Sequence, residues 1–587
     1  MTRGAVNPAA TLLRRELLRD GGWIARAAVA TAIVNGLAVA TSLFAMQVYD
    51  RVVPTLAWAT LTTLTAGMGL VVALDWTLRT LRARILDSAA SAIDKRLSQR
   101  VFEHLLHLRL DARPRALGTL AAQVNALDAV RQFFASGIVF ALVDVPFALL
   151  FVAVIGLVGG TVAWVYGALV LVAVAVGLVG QARGRRLAAL GQRRAAERHG
   201  LLVDAIRAAE SVRATGAAPR FAAEWEALTR ATSGHAIRQR AITTFSGVTV
   251  HALSTSAYVA ATVVGVWRIE AGLMTVGALI ACSVLGGRVI GPVSQAAQYL
   301  AQWQGVSEAL DQVGRFLSLE RERREGQALL APESPPRSLA LERVRFGYAG
   351  ATAPELDVPS LELVAGDRAL LIGPVGCGKS TLLKVMAGLY RPAEGRVRLG
   401  DADLWETDPA VVAARVGYLP QAVHLFRGTL RENLAPAGAP GDAALLDAGR
   451  EFGVDAIAAA SPLGMDRPIA EGGDGLSGGQ RQLVGLARTA LAAPTVWLLD
   501  EPTASLDART EARAWHALER RLGPEDILVV ATHRPGRALE LASRVIVMRA
   551  GGVAMDGSPA EVLGGPLVRT RPPGRSAADA GRLDDAA

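Results

Sequence analysis

The residue types and spacing best suited to chemistry run from Gly373 to Thr381: Gly373, Pro374, Val375, Gly376, Cys377, Gly378, Lys379, Ser380 and Thr381. They form a G-x-x-x-x-G-K-S pattern between the strand-like "RALLI" and the helix-like "TLLKVMAGLY". Glycines let backbone N–H groups curl around phosphate oxygens, and the start of the following helix adds its positive dipole end. In such a loop Lys379 is placed for the β and γ phosphates of a nucleotide and Ser380 for Mg²⁺. Further along, "TVWLLDE" is a hydrophobic strand ending in Asp500 and Glu501. One carboxylate there can hold the metal and the next can polarise an attacking water. Alone, such a pair is more often a solvated strand end; beside a phosphate loop it is the second half of a nucleotide hydrolysis site.

These elements need a scaffold, and the composition says where it sits. The chain has 587 residues, too many for one ordinary domain. Hydrophobic residues make up 51% and the mean hydropathy is +0.31, so part of the surface is expected to face lipid. The net charge of +9 could suggest nucleic acid. Its placement excludes that reading, because the arginines crowd the connections between apolar runs, as cytoplasmic loops do. Two cysteines, Cys282 and Cys377, make no disulfide framework.

Six runs approach the roughly 20 apolar residues that cross a bilayer as a helix: Ala27 to Met46, Leu56 to Leu74, Ile138 to Leu157, Thr161 to Gly180, Val248 to Trp267 and Gly272 to Val293. Arg288 interrupts the last. Short links join runs one and two, three and four, and five and six. The other two connections are long, Arg-rich and helical in periodicity. They are expected to be membrane helices that continue into the cytoplasm, turn once and return. A coiled-coil stalk with no coupling role is the alternative. The expected organisation is a cytoplasmic N-terminal segment (1–22), a six-helix transmembrane domain (23–319), a polar linker (320–337), an α/β domain with a largely parallel sheet (338–563) and a disordered tail (564–587). The N-terminal segment reads as retained and not as a removed signal peptide.

Between the phosphate loop and the paired carboxylates stands Leu476-Ser477-Gly478-Gly479-Gln480. With it the chain resembles the ATP-binding cassette (ABC) ATPases, of which LSGGQ is the signature. The resemblance extends to Tyr348 in "RVRFGY", Gln421 in "YLPQ", the "ASLD" loop ending in Asp507, and His533 in "ATHR". It implies that Tyr348 stacks on adenine and that Gln421 reaches the metal and senses the membrane domain. It implies further that Asp507 lies in a loop crossing between subunits, and that His533 is a switch near the γ phosphate. Ser477, Gly478, Gly479 and Gln480 would meet the γ phosphate bound by a second subunit, since a helix start with free N–H groups is an anion site. One cassette and six spans then imply a homodimer binding ATP and Mg²⁺.

The whole chain resembles ABC exporters of the type I (type IV fold) architecture: an α-helical transmembrane domain followed by an α/β phosphate-loop nucleotide-binding domain. "RLDARPRALGTL" (108–120 with flanks) and "DAIRAAESVRATGA" (204–217) look like its coupling helices, and Glu471 like the acidic loop that meets them. "FAMQVYDRVVPTLAWATL", "ALVDVPFALLFVAVI" and "MTVGALIACSVLGGRVIGPVSQ" narrow the resemblance to type I secretion ATPases, in the branch exporting RTX-type proteins, adhesins or proteases. That implies a bacterial inner membrane protein with cytoplasmic ATPase, working with a periplasmic adaptor, an outer-membrane channel and an exported protein. The N-terminal peptidase-like domain of many relatives is expected to be missing. The alternative is a lipid or glycolipid flippase of the same architecture. Asp144, an acid in an apolar span, is a candidate for cargo or gating, or for a hydrogen bond beside Pro146. Cys377 reads as a tolerated small residue or as a site of thiol-dependent inhibition.

Overall fold

The computed structural model describes residues 22–111, 138–323, 327–332, 334–348, 354–438 and 441–564, with Thr11, Arg15 and Arg19; side chains of 138–145, 181, 184–189, 192 and 290–305 are not described. The expected first coupling segment beyond residue 111, the tail beyond 564 and the side chain of Asp144 lie outside the described residues. The chain divides into two units, one comprising Met1–Leu108 and Arg113–Glu320 and the other Arg109–Ala112 and Arg321–Ala587.

The first unit is helical. All six apolar runs fall on helices: α1 (Gly22–Gln47), α2 (Trp58–Leu106), α3 (Ile138–Gly159), α4 (Val162–Arg207), then a short α5 (Ala209–Ala214), α6 (Ala218–Glu270) and α7 (Val276–Leu317). Among the described residues four helices pass as membrane-crossing on length and composition; the other two runs are carried by the shorter apolar stretches Pro146–Gly159 and Val276–Val289. Helices α2, α4, α6 and α7 continue far past their apolar parts, as the periodicity predicts. At the far end of α4 the chain turns through Ala208 into α5 and again at Gly216, where φ is +66°, before α6 returns. This places a separate short helix within the expected second coupling segment.

Small residues let these helices approach closely. A methyl group on Gly286 of α7 would fall 2.1 Å from the ring of the buried Tyr166 of α4, and one on Gly265 of α6 would fall 2.3 Å from Leu279 of α7. Without water to drive association, such close packing is what holds membrane helices together. One apolar core gathers Phe151, Ile155, Tyr166 and Leu285; a second gathers Leu97, Val101, Val313 and Phe316 beyond the spans.

The sixth run starts later than the hydropathy suggests, because Gly272 has φ +68° and Thr275 caps α7, its hydroxyl accepting from the Ala278 N–H at 3.1 Å. A second cap comes from afar. The link between α1 and α2 begins as a π turn (Val48–Val52), and its Asp50 carboxylate accepts from the Gly277 N–H at 2.7 Å and the Thr275 hydroxyl at 2.6 Å. A carboxylate at a helix N-terminus satisfies orphan donors and meets the positive dipole end. Asp50→Ala is therefore expected to destabilise this unit by about 1 kcal/mol, read as a lower melting temperature of the purified protein. An unchanged melt would show that the cap contributes nothing.

Among the described residues the second unit has three sheets where the sequence suggested one; the smallest pairs β7 (Gly428–Thr429) with β8 (Pro468–Ile469). A four-stranded antiparallel sheet, absent from the sequence reading, contains β1 (Ser338–Phe346), β2 (Leu356–Val364), β4 (Glu394–Leu399) and β5 (Ala402–Asp403) in the order β2-β1-β4-β5. The main sheet runs β12-β11-β3-β10-β9-β6, with β3 (Arg368–Ile372), β6 (Val416–Leu419), β9 (Val496–Asp500), β10 (Ile527–Ala531) and β11 (Arg544–Arg549) parallel and only β12 (Gly552–Gly557) antiparallel. The expected linker is partly absorbed into this unit. Leu330 exchanges backbone hydrogen bonds with Glu406 and Asp408, and the Arg323 guanidinium lies 4.4 Å from the ring centre of the buried Trp405.

Candidate active site

Every strand of the parallel set delivers its next residues to the same sheet edge, the usual ligand side of such sheets. From β3 the chain enters the phosphate loop, with φ of +153° at Gly373, +80° at Gly376 and +98° at Gly378. A Cβ on Gly373 would sit 2.4 Å from the Met548 carbonyl oxygen, so this position admits only glycine. Gly378 is the N-cap of α8 (Lys379–Met386), whose first N–H groups therefore open onto the loop. The Lys379 ammonium arches back and donates to the Gly373 and Pro374 carbonyls at 2.8 and 3.0 Å. A positive charge and a helix start are thus focused on one concavity.

Asp500 ends β9 and is 3% exposed. Burial pushes its carboxyl above the ordinary range, while a hydrogen bond from the Ser380 hydroxyl pulls the other way. A buried carboxylate joined to the hydroxyl at the foot of a phosphate loop is a donor set that fits Mg²⁺. Asp500 should accordingly weaken the nucleotide-free fold. With a raised folded-state pKa, its stabilising term is present at low pH and lost as pH rises through that value. Asp500→Asn is expected to melt at or above the parent at pH 8 without nucleotide, the gap narrowing as pH falls, and to lose stabilisation by Mg-ATP. Thermal melts with and without ligand measure both; a lower melting point without nucleotide at pH 8 would contradict the argument.

Glu501 follows in the left-handed region, φ +51°, which is uncommon outside glycine and found where surroundings over-determine it. Here its N–H donates to the Ala531 carbonyl at 2.9 Å, and its own carbonyl accepts from the Gln482 side chain at 3.0 Å. The turn aims the carboxylate at the segment after β10. Oε1 meets the His533 N–H at 3.0 Å and His533 Nδ1 at 2.6 Å, and Oε2 accepts from the Thr532 hydroxyl at 3.2 Å. Glu501 is buried, whereas half of the His533 side chain is exposed.

Three other expected residues lie around this edge. Gln421 is exposed just past β6, whose Leu419 pairs with Leu499 of β9, so both strands end on the same side. Tyr348 is half-buried; its hydroxyl is 3.2 Å from that of Thr381, and its ring meets Phe346 and Tyr390 edge-on at 5.2 and 5.8 Å. Asp507 accepts from the N–H groups of Arg509 and Thr510 at 3.0 Å and caps α10 (Ala508–Arg521), which holds its carboxyl below the usual range. Within one chain Asp507 is thus a helix cap.

The signature begins α9 (Gly478–Leu491) with a capping box: the Ser477 hydroxyl accepts from the Gln480 N–H at 3.2 Å, and the Gln480 side chain accepts from the Ser477 N–H at 2.9 Å. Ser477 and Gly478 are exposed. Gly479 is wedged on the loop before α10, where a Cβ would be 2.8 Å from the Ser505 carbonyl oxygen. Among the described residues no hydrogen bond or ion pair joins Ser477–Gln480 to the phosphate loop of the same chain. Glu471 lies exposed in a short 3₁₀ turn upstream.

Sequence reading missed Gln482 and Thr532, which hold the Glu501 backbone and carboxylate. Gln482 stands two residues past the signature and Thr532 directly before His533, so their positions were visible and their contacts were not.

The fold and this edge define a membrane-embedded ATPase of the cassette type. An "ABC transporter" family model matches residues 356–504, and an "ABC transporter transmembrane region" model matches residues 24–293. The chain belongs to the ABC transporters: it is a multi-pass membrane exporter with an ATP-hydrolysing domain. Among its relatives is the cyclolysin secretion/processing ATP-binding protein CyaB of Bordetella pertussis, 29% identical over 536 residues, which are 90% of this chain and 74% of that one. The leukotoxin translocation ATP-binding protein LktB of Mannheimia haemolytica is 27% identical over 538 residues, with the same coverage. The fold is also similar to a bacterial Atm1-family ABC exporter with ATP bound, with a TM-score of 0.77 at 21% identity, covering 94% of this chain and 96% of that one.

Proposed function

We propose that this protein is the membrane ATPase of a type I protein secretion system, acting in the bacterial inner membrane as a homodimer. The observation that carries the reading is that relatives named for cyclolysin secretion and leukotoxin translocation align along 90% of the chain, membrane helices included. Arginines in both long connections favour a cytoplasmic ATPase and N-terminus. A periplasmic adaptor, an outer-membrane channel and an exported protein are the partners this function requires.

In the proposed cycle the backbone from Gly373 to Thr381 and the Lys379 ammonium bind the ATP phosphates, and Tyr348 supports the adenine. Ser380, Asp500 and Gln421 would hold Mg²⁺, which neutralises charge on the phosphate oxygens when bound. Glu501 orients and polarises the attacking water, and His533, already on its carboxylate, senses the γ phosphate. Ser477, Gly478, Gly479 and Gln480 of one copy close on the nucleotide of the other, with the Asp507 loop beside them. Closing and release move the long helices that join cassette and membrane.

The test is reconstitution in vesicles with the adaptor. Stimulation of ATP turnover by a secreted protein's C-terminal segment, together with adaptor co-purification, is the expected result. Stimulation by lipid alone, with ATP-dependent lipid translocation and no adaptor binding, would replace this reading with a flippase.

A further inference from the structure

A groove of about 540 Å³ lies between α4 and α6, outside the ATP site. Its walls are almost wholly apolar, from Val172, Val176 and Val179 on one helix to Ile242 and Phe245 on the other, and Arg183 stands at one end. The helices are pinned together where Gly180 passes Ser246, since a Cβ there would be 2.6 Å from the serine oxygen. Beside that pin, small residues such as Ala175 and Ala241 leave the slot. It opens outward, with Phe245 72% exposed.

Charge distinguishes this slot from ordinary lipid-facing surface. Residues 162–196 of α4 and 227–269 of α6 contain no Asp or Glu, whereas Arg183 lines the slot and Arg185, Arg186, Arg238 and Arg240 lie within a few sequence positions of its lining residues. Among the described residues Arg183 makes no hydrogen bond or ion pair. An arginine where an apolar span meets its polar extension, with no carboxylate on the facing stretches of the two helices, calls for an anion from outside. Basic pockets between membrane helices on the cytoplasmic side bind anionic headgroups, and guanidinium meets phosphate through paired hydrogen bonds.

We propose that this groove holds an anionic phospholipid of the inner leaflet as a resident ligand, its phosphate on Arg183 and an acyl chain along the slot. The leaflet follows from the orientation proposed above; the site itself does not depend on the cargo. The lipid braces α4 against α6, the antiparallel pair that carries α5 at its tip.

The test uses the full-length protein purified in mild detergent and incubated with a phosphatidylglycerol and phosphatidylcholine mixture, with retained lipid quantified by native mass spectrometry. The parent is expected to retain phosphatidylglycerol preferentially. Arg183→Gln removes the charge and Ala175→Phe fills the slot; each is expected to cut that retention at least fivefold, with dimer fraction and detergent ATPase activity within twofold of the parent. Arg183→Lys should keep part of the preference. Equal retention of both lipids, or no change in either variant, would overturn the proposal. So would dimer dissociation by Ala175→Phe with lipid retention unchanged, which would make the groove a seat for the second copy. ATP-dependent translocation of the bound phosphatidylglycerol would uphold the site while overturning protein export as the function.

Discussion

Replacing Glu501 by glutamine is expected to slow ATP turnover by at least about a hundredfold, the usual contribution of a positioned general base, and to accumulate an ATP-bound closed dimer. Glutamine keeps the shape of the side chain and one oxygen to accept from the His533 N–H or the Thr532 hydroxyl. The left-handed turn at Glu501 is held from its backbone, by Ala531 and Gln482, and does not depend on the carboxylate. The fold should therefore survive. What disappears is the negative charge that polarises water, and with it a charge that repels the phosphates. A hundredfold loss corresponds to about 2.7 kcal/mol of barrier. Single-turnover kinetics and size-exclusion chromatography with Mg-ATP measure the two halves. Turnover within tenfold of the parent, or a variant that binds ATP yet never closes, would remove Glu501 from the role proposed for it.

The second large effect is expected from Gly478→Asp. A side chain here is sterically acceptable: the nearest atom to an added Cβ is the Ser505 hydroxyl at 3.7 Å, and the backbone angle is an ordinary one. An acidic residue in the first turn of α9 even suits the helix dipole of the isolated chain. The cost falls only on the assembled state, where a carboxylate would face the partner's triphosphate and like charges brought together cost several kcal/mol. ATP affinity of the single cassette should stay within about threefold, while turnover falls at least about a hundredfold, or about 2.7 kcal/mol, and closure of the Glu501→Gln dimer is lost. Gly479 could not be used for this purpose. Its Cβ would strike the Ser505 carbonyl at 2.8 Å, so folding and assembly would fail together. Normal turnover in Gly478→Asp would mean that the signature never meets a bound nucleotide.

The two variants differ in how legible their sites were. Lys379, Ser380, Asp500 and Glu501 could be assigned from residue type and position after a strand, because a parallel sheet carries each such position to one edge. Ser477 could be recognised by its motif, yet nothing local shows that its hydroxyl is engaged in its own helix cap. The same holds for Asp507, whose carboxylate closes α10 while the motif suggests only a loop between subunits. The antiparallel sheet went unread because β1 and β2 alternate buried and exposed residues and so lack a long hydrophobic run. The late start of α7 was hidden because hydropathy continues across Gly272, whereas the backbone there turns left-handed.

Sequence alone determined the order of the units, the six apolar runs and the residues able to handle a nucleotide, because hydrophobic length, glycine spacing and strand ends are local properties of the chain. Tertiary structure decided which groups hold one another: Gln482 and Thr532 on Glu501, Asp50 on the start of α7, and the slot that ends at Arg183. Each of those depends on residues brought together from distant parts of the chain, where distance and burial set the energy and no local pattern encodes them.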